Sequence, residues 1–248
     1  MKRLLLTLRY DGTAYHGWQV QPNAVTVQET LQDAIEKVTG VRAGVIGCSR
    51  TDTGVHAAMF CCTFDTESAI PAHRMALALN MHLPEDIAVY DCKETAKDFH
   101  PRYAARGKRY TYRVNNTHYR DPFNDRYAVR YTPALDETLL HTYAQDIVGT
   151  HDFAAFCAAN ADTVDSVRTV SRFSVERDGD TVLFTVEADG FLYNMVRIMV
   201  GTLLDMGAGR LPADAISKAL ESGDRSLAGA TAPAKGLRLE KVFYGEER

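Results

Sequence analysis

The residues best suited to chemistry lie between Cys48 and Ala57, in the run Cys-Ser-Arg-Thr-Asp-Thr-Gly-Val-His-Ala. One carboxylate, Asp52, follows Arg50 by two residues, with Gly54 and His56 just beyond. Val45 and Ile46 before the run, and Met59, Phe60 and Cys61 after it, have the apolar character of strands. Asp52 is therefore expected in a loop at a strand end. A guanidinium within a few ångströms favours the ionised carboxylate and lowers its pKa. That state suits a nucleophile or a base and disfavours a general acid. An Arg-x-Asp pair in a glycine-containing turn is also a common solvated turn or local ion pair, and the motif alone leaves both readings open.

Two further stretches carry charge where it needs a reason. From Phe99 to Arg120 there is no acidic residue, while Arg102, Arg106, Lys108, Arg109, Arg113 and Arg120 are interleaved with Tyr103, Tyr110, Tyr112 and Tyr119. Cations for phosphates and rings for unpaired bases are what single-stranded nucleic acid requires. The alternation through Arg109-Tyr110-Thr111-Tyr112-Arg113 equally fits a strand with one wet face. Arg197 is the sole charge between Phe191 and Leu204, inside a helix that should be buried. A lone buried guanidinium costs several kcal/mol, so it must meet a carboxylate or reach water. Asp52 is the expected partner; Asp189 and Asp205 are the nearby alternatives.

The chain as a whole has 248 residues, 24% charged and 46% hydrophobic, with a formal net charge of -4. Those values fit a folded globular protein. A nucleic-acid partner must then be held by a local patch. Five cysteines, without Cys-x-x-Cys spacing, suggest neither a disulfide framework nor a zinc knuckle, and point to a reducing cytoplasm. The opening Met-Lys-Arg-Leu-Leu-Leu imitates a signal peptide, but Thr7, Arg9 and Asp11 end the apolar run early, and no stretch is long enough to span a membrane. No phosphate-cradling glycine loop, paired carboxylates or His/Cys ligand set is present, so no metal or cofactor is expected.

The elements that must position these groups follow in order. Leu4 to Tyr10 reads as a strand closed by Asp11-Gly12, followed by the aromatic loop Tyr15-His16-Gly17-Trp18-Gln19. Thr26 and Glu29 form a capping box ahead of Leu31, Ala34, Ile35 and Val38, and Gly40 stops that helix. A strand, the Asp52 turn and a strand through Phe64 come next, then a helix over Pro71 to Leu79 and a short strand over Ile87 to Tyr90. A similar order repeats: a strand over Lys108 to Val114, a helix over Leu135 to Ile147, paired strands Val167 to Val175 and Val182 to Glu187, a helix from about Phe191 to Met206, a short helix after Pro212 and a last strand, Leu237 to Phe243. This predicts an α+β protein of two ferredoxin-like halves, 1–102 carrying the Asp52 loop and 103–248 carrying Tyr110 and Arg197, joined into an extended antiparallel sheet with helices on one face and an RNA-binding cleft on the other.

These stretches together resemble the tRNA pseudouridine synthase I (TruA) family. The likeness runs nearly the whole chain: Tyr10-Asp11-Gly12, Gly17-Trp18-Gln19, Val27-Gln28, Arg50-Thr51-Asp52-x-Gly54-Val55-His56-Ala57, Asn80, Leu83-Pro84, Asp86-Ile87, Phe99-His100 with Arg102, Arg109-Tyr110-x-Tyr112, His151-Asp152-Phe153, Met195-Val196-Arg197, Ala230-Thr231-Ala232-Pro233 and Gly236-Leu237. Ser49 stands where many members have glycine. The resemblance implies conversion of uridine to pseudouridine at positions 38, 39 and 40 of the tRNA anticodon stem-loop, by a homodimer without metal, nucleotide or organic cofactor. It assigns catalysis to Asp52 as nucleophile, with Tyr110 and Arg197, and substrate binding to Arg50, Tyr110 and Leu237. Two other readings compete. Asp52-Thr53-Gly54 spells an aspartic-protease signature, but that chemistry needs two carboxylates sharing a proton and the chain has no second such motif. A non-catalytic RNA-binding module would use the basic-aromatic strand and leave Asp52 as a turn cap.

Overall fold

A computed structural model describes residues 1–158 and 165–245. The chain divides into two compact units. The first holds Met1–Arg106 together with the stretch from Arg238 onward. It contains β1 (Lys2–Tyr10), α1 (Val27–Thr39), β2 (Ile46–Gly47), β3 (His56–Thr66), α2 (Ala72–Asn80), β4 (Ile87–Thr95) and all but the first residue of β10 (Leu237–Phe243). The order through β4 is the β-α-β-β-α-β expected.

In this unit β1 pairs antiparallel with β3 and with β4, and β2 adds to β3. The register sets Leu4 against Phe64, Leu6 against Cys62 and Leu8 against Phe60. Those six side chains share one face and are at most 2% exposed. The apolar stripe of α1, Leu31, Ala34 and Ile35, is buried as well. Thr26 Oγ1 accepts the Glu29 N–H at 3.3 Å, and Gly40 ends α1 at φ 77°, so both ends of α1 follow the sequence signals.

Residues of β1 facing the other way, Leu5 and Thr7, are also buried, as are Cys61 and Thr63 opposite them. The expected open face is therefore partly covered in this unit. The segment after β4 folds back over it. Arg3 donates to the Phe99 carbonyl at 3.2 Å, the Tyr244 hydroxyl donates to the Pro101 carbonyl at 2.8 Å, and the Phe99 and Tyr244 rings meet at 5.5 Å.

The second unit, Gly107–Leu237, contains β5 (Gly107–Asn115), β6 (Val129–Arg130), α3 (Glu137–Ala144), β7 (Gly149–Asp152), β8 (Val167–Asp178), β9 (Thr181–Ala188), α4 (Met195–Gly207) and α5 (Ala215–Ser222). Its strands run in the order β5-β9-β8-β7, antiparallel, with β6 parallel to β5. Along β9 buried and half-exposed residues alternate strictly, as in a sheet with one wet face.

Further features differ from the sequence reading. Strand β4 runs nine residues, through Thr95, where a short strand over Ile87 to Tyr90 is expected. The last strand, placed by sequence order with 103–248, pairs with β3 of the first unit and does so in parallel, Arg238 opposite His56 and Leu239 opposite Ala57. Strands β6 and β7, of two and four residues, were not expected. Helix α4 begins at Met195 rather than near Phe191, because Asn194 takes a left-handed conformation, φ 59°.

Candidate active site

Asp52 sits between β2 and β3, half-buried, in a tight turn. Its carbonyl accepts the Val55 N–H at 3.1 Å, and Gly54 adopts φ 77°, the arrangement a type II turn requires. The Tyr15–Trp18 loop grips this turn from beneath. The Trp18 N–H donates to the Thr51 carbonyl at 3.1 Å, and the Gly54 N–H donates to the Tyr15 carbonyl at 3.2 Å. The Thr51 hydroxyl, buried, meets the Tyr10 hydroxyl at 2.8 Å. Gly17 is held at φ 84°, and a Cβ there would lie 2.5 Å from the Thr51 carbonyl oxygen. Both conditions demand glycine. Gly12 is equally constrained, since a Cβ on it would collide with the Val55 carbonyl.

His56 is 3% exposed. Its Nδ1 accepts the Gly12 N–H at 3.0 Å, with the Asp11 carboxylate 3.1 Å from the same nitrogen. It thus ties the start of β3 to the turn that closes β1. The effect is a fixed backbone at Asp52: five hydrogen bonds and three glycines set where its carboxylate points. Arg50, exposed, lies on the outer side of the same loop.

The other expected site residues belong to the second unit. Tyr110 stands on β5, 6% exposed, with the Phe191 ring edge-on at 5.1 Å. Its neighbour Tyr112 is fully buried and donates its hydroxyl to the Pro233 carbonyl at 2.7 Å. Burial holds the Tyr112 phenol well above its ordinary pKa, with the Arg197 guanidinium acting in the opposite sense. Leu237, 6% exposed, opens β10 after a short 3-10 turn, Ala234–Gly236.

Arg197 is half-buried in the first turns of α4. Its Nε donates to the Ala232 carbonyl at 2.7 Å and its Nη1 to Asn194 Oδ1 at 2.6 Å. The Ala232 N–H returns a hydrogen bond to the Arg197 carbonyl at 3.0 Å. These oxygens offset much of the cost of desolvating the guanidinium and fix its direction. The segment before Ala232 can lie this close because Gly201 has no side chain; a Cβ there would collide with the Ala230 carbonyl. Asp205, one of the nearby carboxylates weighed as partner, bridges Arg210 at 2.6 Å. The other, Asp189, accepts the Thr169 N–H at 3.1 Å.

The basic-aromatic stretch separates into two groups. Arg109 is paired with Glu187 across the strand at 2.9 Å, and Tyr110 and Tyr112 are buried. Tyr103 and Tyr119 are 80% and 82% exposed. The alternation along β5 is thus largely that of a packed strand, and the aromatic rings open to a partner lie outside it.

Comparison with known proteins decides the family. A model described as tRNA pseudouridine synthase matches residues 7–104 and 143–245, which include Asp52, Arg197 and Leu237. The chain belongs to the tRNA pseudouridine synthase family. It is 45% identical over 244 residues to tRNA pseudouridine synthase A of Thermoanaerobacter sp. (strain X514), covering 98% of this chain and 100% of that one. Against the Clostridium kluyveri protein of the same name it is 46% identical over 244 residues, with the same coverage. Against that of Exiguobacterium sibiricum it is 44% identical over 248 residues, 100% of this chain and 99% of the other. Tyr110 falls between the two stretches matched by the family model.

The candidate side chains were visible in the sequence; the contacts that hold the Asp52 turn were not. Tyr10, Tyr15 and Gly17 touch the residues flanking Asp52; Tyr10, Gly17 and Thr51 stand in the sequence motifs, but nothing in those motifs says that they meet. Asn194 carried no warning of its left-handed backbone. Among the described residues no cluster of three or more His, Cys, Asp or Glu side chains is placed to hold a metal ion.

Proposed function

We propose that this protein converts uridine to pseudouridine in tRNA, at positions 38, 39 and 40 of the anticodon stem-loop, with Asp52 as the nucleophile. The observation that supports this best is the identity of 44 to 46% to proteins named tRNA pseudouridine synthase A over essentially the full length of both chains. The target uridine leaves the stack, because its glycosidic bond is out of reach inside a helix. Asp52 attacks or stabilises the electron-poor centre left as that bond breaks. The detached ring turns over and re-bonds through carbon 5; the proton on carbon 5 is then removed, and N1, freed from the sugar, takes up a proton. Atoms and charges balance within one nucleotide, so the isomerisation draws on no external energy.

In this reading Arg197 keeps Asp52 ionised and aimed. Tyr110 stacks on the flipped uracil and offers its hydroxyl near the departing proton. Arg50 steadies the flipped nucleotide's phosphate or fills the gap left in the stem, and Leu237 walls the pocket. The enzyme acts in the cytoplasm as a homodimer whose two subunits together hold one tRNA.

Unmodified tRNA transcripts incubated with the protein, then mapped by carbodiimide-blocked primer extension, test the assignment. Stops at positions 38 to 40 are expected. Modification confined to other positions would overturn the site, and no modification at all would overturn the activity.

A further inference from the structure

A second feature of the first unit adjoins the Asp52 loop and shares only Arg50 with the chemistry above. Between the Trp18–Gln19 loop, the β2 segment and the turn after Phe99 lies a pocket of about 260 Å³. That is the scale of a single nucleotide. Arg50 and Arg102 line it and no carboxylate does. Neither arginine is in an ion pair among the described residues, so two guanidinium groups face one small space without a counter-charge. Such an arrangement favours an anion.

The remaining walls suit a base and a sugar. His100 Nδ1 accepts the N–H groups of Arg102 and Tyr103, at 3.2 and 3.4 Å. The ring proton then sits on Nε2, which serves as a hydrogen-bond donor. The Tyr103 ring, 80% exposed, lies 4.2 Å from the His100 ring at 30°, a ready platform for a further planar ring. The floor is rigid. Trp18 stacks on Phe60 at 4.0 Å, and Gly47 leaves space for the indole, since a Cβ there would lie 2.6 Å from Trp18 Nε1. The Gln28 side chain spans the floor, donating to the Val45 carbonyl at 2.8 Å and accepting the Val20 N–H at 2.9 Å.

We infer that this pocket is a subsite for one unpaired nucleotide of the RNA, adjacent to the target in the strand, with Arg102 on its phosphate, Arg50 at the phosphate it shares with the target, and the His100–Tyr103 pair against its base. The placement beside the target rests on the synthase reading, because Arg50 is two residues from Asp52. The pocket's affinity for a nucleotide does not.

Trp18 is the single tryptophan of the chain, so its fluorescence reports occupancy directly. Titration of the full-length protein with the trinucleotide UpUpU is expected to give a saturable change in Trp18 emission, abolished in Arg102→Ala and weakened in Tyr103→Ala, with Tyr103→Phe close to wild type. Inorganic phosphate alone should compete weakly. Anisotropy titrations with an unmodified tRNA transcript should show about tenfold weaker binding for Arg102→Ala, and a salt slope smaller by about one. Tritium release from carbon 5 of labelled uridine, measured in parallel, should show KM raised and kcat within about twofold of wild type. No emission change with the trinucleotide, and wild-type transcript affinity in both alanine variants, would overturn the subsite even if turnover is normal. Absence of turnover in a wild type that binds the trinucleotide would overturn the synthase reading instead.

Discussion

Arg197 is the residue whose setting the sequence described least. Its isolation in an apolar helix was plain, and so was its need for a partner. Two of its hydrogen bonds go to a backbone carbonyl and to Asn194, both within the second unit. A planar guanidinium can hold those two contacts and still present a face elsewhere, whereas an ammonium concentrates its charge at one point. Arg197→Lys is therefore expected to lower kcat by about tenfold or more while tRNA affinity changes little. Steady-state tritium release beside anisotropy binding separates the two; equal loss in KM alone would make Arg197 a binding residue. Asp52 was legible from its type and neighbours because strand-like residues on both sides forced it into a loop. The grip of Tyr10, Tyr15 and Trp18 on that loop was not, since contacts between residues some 40 positions apart leave no local periodicity.

At the level of elements, the first unit followed its sequence signals closely where those signals were local. The cap at Thr26 and the stop at Gly40 delimit α1 as read. Thr26→Ala removes the acceptor for the Glu29 N–H and is expected to cost about 1 kcal/mol in denaturant unfolding; an unchanged midpoint would show that burial alone sets the start of α1. The Tyr15–Trp18 loop has a functional stake in one backbone angle. Gly17→Ala places a methyl against the Thr51 carbonyl at a left-handed φ, and is expected to destabilise by about 1 to 3 kcal/mol. Turnover should fall further than the loss of folded protein explains, because the displaced atoms belong to the Asp52 turn; activity measured well below Tm checks this. Short strands such as β6 and β7 escaped the sequence reading because two to four residues give no resolvable alternation, and α4 was placed too early because apolar character continues through Phe191 and Leu192 while the backbone does not.

Across the molecule, alternating and helical patterns gave the α+β class and the order of elements. The return of β10 to β3 was hidden, because a strand's sequence does not name its neighbour. The cysteines, none of them in a disulfide, illustrate what burial adds to composition. Cys48, Cys61, Cys62 and Cys92 are buried, and burial pushes the Cys61 thiol up to about 11 and that of Cys92 to about 12. Thiolate, the reactive form, is scarce at those positions near pH 8. Native protein treated with a disulfide reagent at that pH should label first at Cys157, which is partly exposed, with the other four reacting only on unfolding. Rapid labelling of four or five thiols would show that the first unit opens readily.

Whether Asp52 supplies chemistry or support is read from a single variant. Full-length Asp52→Asn, folded by circular dichroism, is to be assayed for tritium release from carbon 5 of uridine in tRNA and for transcript binding. Release at background is expected, with affinity within a few-fold of wild type. Release at a rate comparable to wild type, or a folded variant that no longer binds tRNA, would contradict a chemical role for Asp52.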